Sequence, residues 1–136
     1  MSDWSDGKSF YRVSLKALIR NERGEILMVS ELGSGLSLPG GGIDHGESAH
    51  DCLVRELHEE IALTTPFREK LISMQTKFLE TKQAWLMWLV YEIDYDELDF
   101  GLGEHADEVR WITPEEIYAP SDDAYAMTVK VLQEIA

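Results

Sequence analysis

Residues 84–93, AWLMWLVYEI, form the segment that most restricts the fold of this chain. Apolar residues occupy both alternating sets of positions over most of the segment, so a strand built from it would bury both of its faces. A strand that is covered on both faces needs a layer of structure on each side of its sheet. The segment therefore predicts the central strand of a layered fold.

The other patterns alternate between strand and helix. Four further strands are predicted, at residues 13–19, 26–29, 70–78 and 109–112. Ser48 is a predicted N-cap of a helix that runs to about Ile61, and Thr113 opens a capping box with Pro114 at the first helical position. A closing helix is predicted after Pro120, with apolar positions Ala124, Met127, Val131 and Leu132. This order predicts an α/β sandwich around a mixed β-sheet.

Length and composition predict one cytoplasmic domain. The 136 residues are 44% hydrophobic, enough to bury a core, which predicts a single domain over residues 9–136. Residues 1–8 are predicted to form a flexible N-terminal tail. No apolar run approaches the roughly 18 residues of a membrane span, and the opening MSDWSDGKSF lacks the basic and apolar regions of a signal peptide. A single cysteine, Cys52, cannot form an intramolecular disulfide, which is typical of a reducing compartment.

The net charge of −14 restricts the binding partners. A general nucleic-acid binder needs basic surface to replace the counterions of the phosphates, and this chain has too little of it, so no nucleic-acid partner is expected. Two interpretations of the acidic residues stay open: they aid solubility alone, or some of them hold divalent metal ions.

Three glutamates on the first predicted helix favour the second interpretation. At about 100° per residue, Glu56 and Glu60 fall at the edge of the apolar stripe, and Glu59 lies beside them. The stripe consists of Ala49, Leu53, Leu57 and Ile61. Like charges one turn apart repel each other, and partial burial makes their ionisation more costly. Bound Mg²⁺ would remove this conflict because hard cations take carboxylate oxygens as ligands.

A glycine cluster directly precedes this helix. Gly40, Gly41 and Gly42 allow backbone conformations closed to other residues and a close approach to a ligand. A backbone carbonyl of this loop could also face a metal ion. The order of glycine loop and acidic helix is more specific than either feature alone.

The pattern over residues 41–63, G-x5-E-x7-R-E-L-x-E-E-x-A-L, resembles the signature box of the Nudix (MutT-like) hydrolases. Leu38-Pro39-Gly40, which precedes the box, also suits that family. One departure is Ala62, which stands where the family has a glycine and leaves the geometry of the helix end open. The resemblance implies a Nudix-type α/β/α sandwich around a mixed β-sheet. It also implies hydrolysis of a nucleoside diphosphate linked to another group, with Mg²⁺ or Mn²⁺ as the cofactor.

The resemblance also implies residue roles. By this resemblance, the metal ligands are Glu56, Glu60, Glu59 and the carbonyl of Gly40 or else Gly41. The catalytic residues are Glu59, Glu56 and Arg55, and the choice of the general base stays open. Glu47 and Gly41 are structural residues of the box, and Arg55 is expected to hold a glutamate by an ion pair. Family members often take a further carboxylate from a distant loop, for which Glu104 is the candidate, with Asp107 and Glu108 behind it.

The box fixes the chemistry and leaves the substrate open. The absence of the family's subfamily markers between Phe67 and Ala84 favours a small-molecule substrate, a nucleoside triphosphate or related nucleotide. The alternatives are a nucleotide-sugar or ADP-ribose pyrophosphatase and a non-catalytic nucleotide-sensing module. An isomerase of the isopentenyl diphosphate type would need a cysteine outside the box, whereas Cys52 lies inside it. No membrane contact is expected, and homodimerisation stays open.

Six other residues are interpreted as structural. Trp85 and Trp88 are predicted core residues, and Cys52 is a predicted packing residue whose thiolate the neighbouring carboxylates disfavour. The three histidines of the box are predicted surface residues: His45, His50 and His58.

Overall fold

The computed structural model describes residues 10–119 and 125–136. The predicted tail at residues 1–8, together with Pro120 and Ala124 of the predicted closing segment, lies outside the described residues. The strands are β1 (Tyr11–Leu18), β2 (Ile26–Ser30), β3 (Leu36–Ser37), β4 (Gly40–Gly42), β5 (Arg68–Leu79), β6 (Ala84–Asp94) and β7 (Glu108–Ile112). The helices are α1 (Ala49–Ile61), α2 (Pro114–Ile117) and α3 (Ala126–Ile135). Among these described helices, none has the length and apolarity to cross a membrane.

The strands form a larger sheet in the order β4-β1-β6-β5 and a smaller sheet in the order β3-β2-β7. β1 and β6 pair in parallel, and the other pairs of the larger sheet are antiparallel, so this sheet is mixed. β6 lies between β1 and β5, which confirms the prediction of a central strand. The mixed sheet with its packed helices confirms the predicted α/β class.

Within the described part of the chain, hydrophobic side chains gather in two clusters, one on each side of β6. Leu89 and Ile93 belong to the cluster that contains Leu53 and Leu57 of α1. Trp88 and Val90 belong to the cluster that contains the α3 residues Val131 and Leu132. These contacts explain why β6 is apolar on both faces.

The two tryptophans of β6 differ in exposure. Trp88 is 7% exposed, as predicted for a core residue. Trp85 is 47% exposed, so its prediction as a core residue is wrong. It lies near the start of β6, where its ring packs against the rings of Tyr11 and Phe78 at centroid distances of 6.1 and 5.5 Å. Both of those neighbours are themselves exposed at this end of the sheet, so the aromatic group stays in contact with solvent.

The boundaries of α1 follow from its sequence. The Ser48 side chain caps the helix by accepting a hydrogen bond from the Asp51 N–H at 3.1 Å, as predicted. At the other end, Ala62 has a left-handed conformation with φ of +50°. Its N–H donates to the His58 carbonyl, and the Leu63 N–H donates to the Leu57 carbonyl. The bond from Ala62 to His58 is that of the αL motif, so alanine retains the helix end at a conformational cost of about 1 kcal/mol relative to glycine.

Candidate active site

Helix α1 carries two glutamates that are almost completely buried. Glu56 is 8% exposed and Glu60 is 2% exposed, although the adjacent Glu59 remains partly accessible. Both buried side chains lie one turn apart at the edge of the face that packs on the larger sheet. Buried carboxylates need a compensating charge or strong hydrogen bonds, so this placement points to a bound cation or a ligand.

Glu31 brings a third carboxylate to the two buried ones. It follows β2 directly, and one carboxylate oxygen from each of Glu31, Glu56 and Glu60 lies within 4.8 Å of the others. We call these three residues the carboxylate cluster. Sequence reasoning missed Glu31, whose signal is an acid at the end of a fully buried strand, beside a glycine-containing loop. Glu59 and Glu104, which the sequence also suggested as metal ligands, do not belong to this cluster.

The geometry of the carboxylate cluster disfavours the ionised form of its buried glutamates. Burial raises the pKa of Glu60 to about 9, and a hydrogen bond with the Glu31 carboxyl group acts in the same direction. Burial likewise raises the pKa of Glu56, although the Arg55 guanidinium opposes this effect. Three converging carboxylates offer hard oxygen ligands of the kind that Mg²⁺ and Mn²⁺ prefer. The donor set of the cluster therefore fits a divalent cation, which would replace the proton on Glu60.

The raised pKa of Glu60 predicts a pH-dependent stability of the metal-free protein. Because the pKa rises from its ordinary value of 4.5 to about 9, the folded state binds more protons than the unfolded state between these values. Stability in EDTA should therefore fall as the pH rises from about 5 to about 9. Thermal unfolding at several pH values measures this slope. Glu60→Gln should flatten it, and an equal slope in both proteins would show that Glu60 is not the group responsible.

Two glycines allow the chain to approach the carboxylate cluster. Gly40 has φ of +132°, and a Cβ atom there would lie 2.0 Å from the Leu15 carbonyl oxygen. Its N–H donates to Glu60 Oε1 at 2.5 Å. A Cβ atom on Gly41 would lie 2.7 Å from the nearer carboxylate oxygen of Glu56. The glycine loop and the acidic helix, which the sequence placed in succession, therefore touch through these residues.

Arg55 connects the start of the helix to the carboxylate cluster. Its guanidinium forms a bidentate pair with Glu47 at 2.7 and 2.9 Å and donates from Nη1 to Glu56 Oε1 at 2.9 Å. It also donates to the Gly42 carbonyl oxygen at 3.0 Å and lies 3.6 Å from the Glu59 carboxylate. The hydrogen bond from Arg55 lowers the pKa of Glu47 to about 2. Arg55 thus fixes one oxygen of Glu56 while Glu47 fixes Arg55.

The loop that carries Glu104 is attached to the end of α1. The N–H groups of Gly101, Gly103 and His105 donate to the carbonyls of the last α1 residues, at 2.7 to 3.0 Å. A Cβ atom on Gly103 would lie 2.2 Å from the Glu59 carbonyl oxygen, so glycine permits this close contact. The attachment places Glu104 and His105 around a cavity of 290 Å³ that Glu59 also lines, and His105 Nδ1 lies 3.4 Å from Glu59 Oε2. Sequence reasoning did not foresee His105.

Cys52 and the three histidines of the box are placed as expected. Cys52 is completely buried beside α1's apolar neighbours, and burial together with the charge of Glu47 raises its thiol pKa to about 11. The three box histidines, His45, His50 and His58, are exposed. These observations confirm a packing role for the cysteine and a surface location for the histidines.

Comparison with known proteins identifies the family. Residues 10–133 match the family model described as NUDIX domain. The chain belongs to the Nudix family. It is 32% identical over 85 residues to an RNA pyrophosphohydrolase of Shewanella denitrificans, and the aligned region covers 62% of this chain and 43% of that protein. It is 31% identical over 78 residues to an 8-oxo-dGTP diphosphatase of Escherichia coli, and the aligned region covers 54% of this chain and 60% of that protein.

Solved structures of the Nudix family share the fold. A MutT protein from Methanosarcina mazei superposes with a TM-score of 0.74 at 24% identity, and the match covers 93% of this chain and 96% of that one. A bifunctional NMN adenylyltransferase/ADP ribose pyrophosphatase from Francisella tularensis superposes with a TM-score of 0.67 at 19% identity, covering 95% of this chain and 42% of that one. The chain spans less than half the length of the RNA pyrophosphohydrolase from Shewanella denitrificans.

Proposed function

We propose that this Nudix protein is a pyrophosphohydrolase that cleaves a nucleoside diphosphate linked to another group. Its favoured substrate is a nucleoside triphosphate or a related nucleotide, and Mg²⁺ or Mn²⁺ is its cofactor. The observation that carries the proposal is the carboxylate cluster, in which oxygens from Glu31, Glu56 and Glu60 lie within 4.8 Å of one another. The relatives support it, because their names describe enzymes that act on diphosphate-containing substrates.

The substrate explains why a protein with a net charge of −14 would need the cluster. A polyphosphate chain is strongly anionic, so it would be repelled by this surface unless its charge were neutralised. Divalent ions held by the cluster would supply that neutralisation and lower the pKa of an attacking water. The carboxylates would hold these ions, and the glycine loop leaves room for a substrate to approach them.

The remaining residues of the site have positioning or proton-transfer roles in this proposal. The Gly40 N–H fixes one oxygen of Glu60, and Arg55 fixes one oxygen of Glu56. Each of these bonds engages one oxygen, so the second oxygen of each carboxylate is available as a metal ligand. Glu59 has a side chain 31% exposed beside the cavity with Glu104, so it can exchange a proton with solvent. Glu59 and Glu56 are the two candidates for the general base.

A hydrolysis screen tests the proposed function. Nucleoside triphosphates, oxidised nucleotides, ADP-ribose, nucleotide sugars and dinucleoside polyphosphates would be incubated with Mg²⁺, and products identified by mass. The Glu60→Gln variant and an EDTA-treated sample serve as matched controls. We expect release of a nucleoside monophosphate or diphosphate that depends on both Mg²⁺ and Glu60. Tight metal binding without turnover of any compound would instead support the nucleotide-sensing module.

The 5′-triphosphate end of RNA is a second candidate substrate. The names of several relatives favour it, among them the RNA pyrophosphohydrolase of Vibrio cholerae at 32% identity over 79 residues. An RNA end presents the same triphosphate and nucleoside as a free nucleotide, followed by further phosphates. A 5′-triphosphorylated oligoribonucleotide should be compared with the free triphosphate of its first nucleoside. A higher kcat/KM for the oligonucleotide would replace the small-molecule proposal.

Replacing Arg55 by lysine is expected to lower kcat/KM about 10- to 100-fold. Lysine keeps the charge but cannot bind Glu47 in a bidentate manner and also reach Glu56, so the Glu56 carboxylate would lose its fixed orientation. Steady-state kinetics with saturating Mg²⁺ measure the effect. Arg23→Lys, at an exposed position in the turn after β1, is the matched control and should retain the wild-type rate. Equal rates in both variants would show that the pairing of Arg55 has no part in catalysis.

A further inference from the structure

Lys16 lies at the carboxylate cluster although it belongs to no part of the signature box. It is on β1 opposite Gly40, and its Nζ donates to the Leu38 and Gly40 carbonyl oxygens at 3.2 and 3.3 Å. The ammonium group also lies 5.2 Å from the centre of the Trp88 ring. The Gly40 carbonyl is the one that the sequence suggested as a metal ligand. A cation of the protein itself therefore contacts an oxygen atom expected to bind the metal.

The charges around Lys16 are those of the carboxylate cluster. Burial lowers the pKa of Lys16, whereas the negative charges of Glu60, Glu31 and Glu56 oppose that shift, in this order of size. Trp88, which is 7% exposed, covers the ammonium from the other side. An ammonium ion in this position contacts the Gly40 carbonyl oxygen and acts electrostatically on all three carboxylates of the cluster. The ammonium and a divalent ion held by the cluster would repel each other strongly because the site is partly shielded from water.

The backbone contacts show that this position is built into the fold. Lys16 binds the carbonyls of Leu38 and Gly40, and the N–H of Ala17 donates to the intervening Pro39 carbonyl at 2.8 Å. Three consecutive carbonyls are thus bound by two consecutive residues of β1. The ammonium group is therefore held at a fixed place rather than free to turn into solvent.

We propose that Lys16 acts as a cation that the fold holds in this site. Its ammonium group donates a hydrogen bond to the Gly40 carbonyl oxygen and offsets part of the negative charge of the carboxylate cluster. It thereby weakens the binding of divalent ions and replaces part of the positive charge that they would otherwise supply. The proposal rests on the proposed function in one respect: the cluster must bind divalent ions.

Binding of Mn²⁺, measured by electron paramagnetic resonance of the free ion, tests this role without reference to turnover. Lys16→Met and Lys16→Gln remove the charge, and the glutamine retains a donor for the carbonyls. Both variants should bind Mn²⁺ about tenfold more tightly than the wild type, or better, at low salt. Lys16→Arg keeps the charge and should bind within about twofold of the wild type.

Lys82→Met is the matched control because it changes the net charge equally at an exposed position of the turn between β5 and β6. It should leave Mn²⁺ affinity within about twofold of the wild type, since exposed charges are screened. Equal or weaker binding by the folded neutral variants would overturn the proposal. If Lys16→Met fails to fold, Lys16→Gln decides the result. A wild-type protein that binds no Mn²⁺ would overturn this proposal and the proposed function together, whereas unchanged binding in the variants overturns this one alone.

Discussion

Replacing Glu60 by glutamine is expected to lower kcat at least about a hundredfold while the fold is retained. Glutamine has nearly the same shape and still offers an oxygen to the Gly40 N–H. In the wild type this N–H donates to Glu60 Oε1. It removes the negative charge and one carboxylate oxygen from the carboxylate cluster. Since Glu60 is 2% exposed, the neutral side chain should also leave the metal-free protein equally stable or more stable.

Glu56→Gln should give a loss of activity of the same order. Its neutral amide would also weaken the contact with Arg55, which donates to Glu56 Oε1 at 2.9 Å. Activity would be measured with saturating Mg²⁺, and thermal unfolding would be measured in EDTA. Glu80→Gln, at an exposed position of the turn after β5, controls for the loss of one negative charge. Near-normal Mg²⁺-dependent rates in both Glu56→Gln and Glu60→Gln would contradict the assignment of the cluster as the metal site.

Alanine at Gly40 is expected to destabilise the protein by about 3 kcal/mol or more. Its Cβ atom would meet the Leu15 carbonyl oxygen at 2.0 Å, and the φ of +132° is strained for any L-residue. The carbonyl belongs to the backbone of β1 and the Cβ would be attached directly to that of its paired strand β4, so relief would require β4 to move away from β1. Such a movement would also withdraw the N–H from Glu60. Urea unfolding measures the loss.

The two neighbouring glycines provide matched comparisons. A Cβ atom on Gly41 would meet the Glu56 carboxylate at 2.7 to 2.8 Å, which is the end of a side chain and can shift. Gly41→Ala should therefore cost under about 1 kcal/mol of stability but displace Glu56 and reduce activity strongly. A Cβ atom on Gly42 would lie 3.9 Å from the Val13 carbonyl oxygen, an ordinary contact, so Gly42→Ala should change little. Equal stability of all three variants would show that β4 does not approach β1 as described.

Much of the fold could be predicted because its signals are local. The two apolar faces of β6 predicted a central strand, and Ser48 predicted the start of α1. The periodicity of α1 likewise predicted that Glu56 and Glu60 lie at the edge of its packing face, where both are buried. Trp85 was wrongly predicted to be a core residue because it is a large side chain on an apolar strand. Its position near the start of that strand leaves it exposed.

The parts of the candidate site that escaped prediction are those that long-range contacts assemble. Glu31 follows β2, in the smaller sheet, and Lys16 lies on β1, in the larger sheet. Neither has a spacing along the sequence that relates it to the glutamates of α1. Gly40 of β4 contacts both Lys16 on β1 and Glu60 on α1, and that contact depends on pairing between distant strands. The contact between His105 and Glu59 likewise depends on the attachment of a loop to the end of α1.

The most direct test of the central claim is a Mn²⁺ titration of the wild type beside Glu56→Gln, Glu60→Gln and Glu80→Gln. The carboxylate cluster predicts saturable binding in the wild type and in Glu80→Gln. It also predicts at least about tenfold weaker binding in each cluster variant. Unfolding in EDTA would establish that all four proteins are folded. Equal Mn²⁺ affinity in all four would contradict the claim that Glu31, Glu56 and Glu60 form the metal site of this Nudix protein.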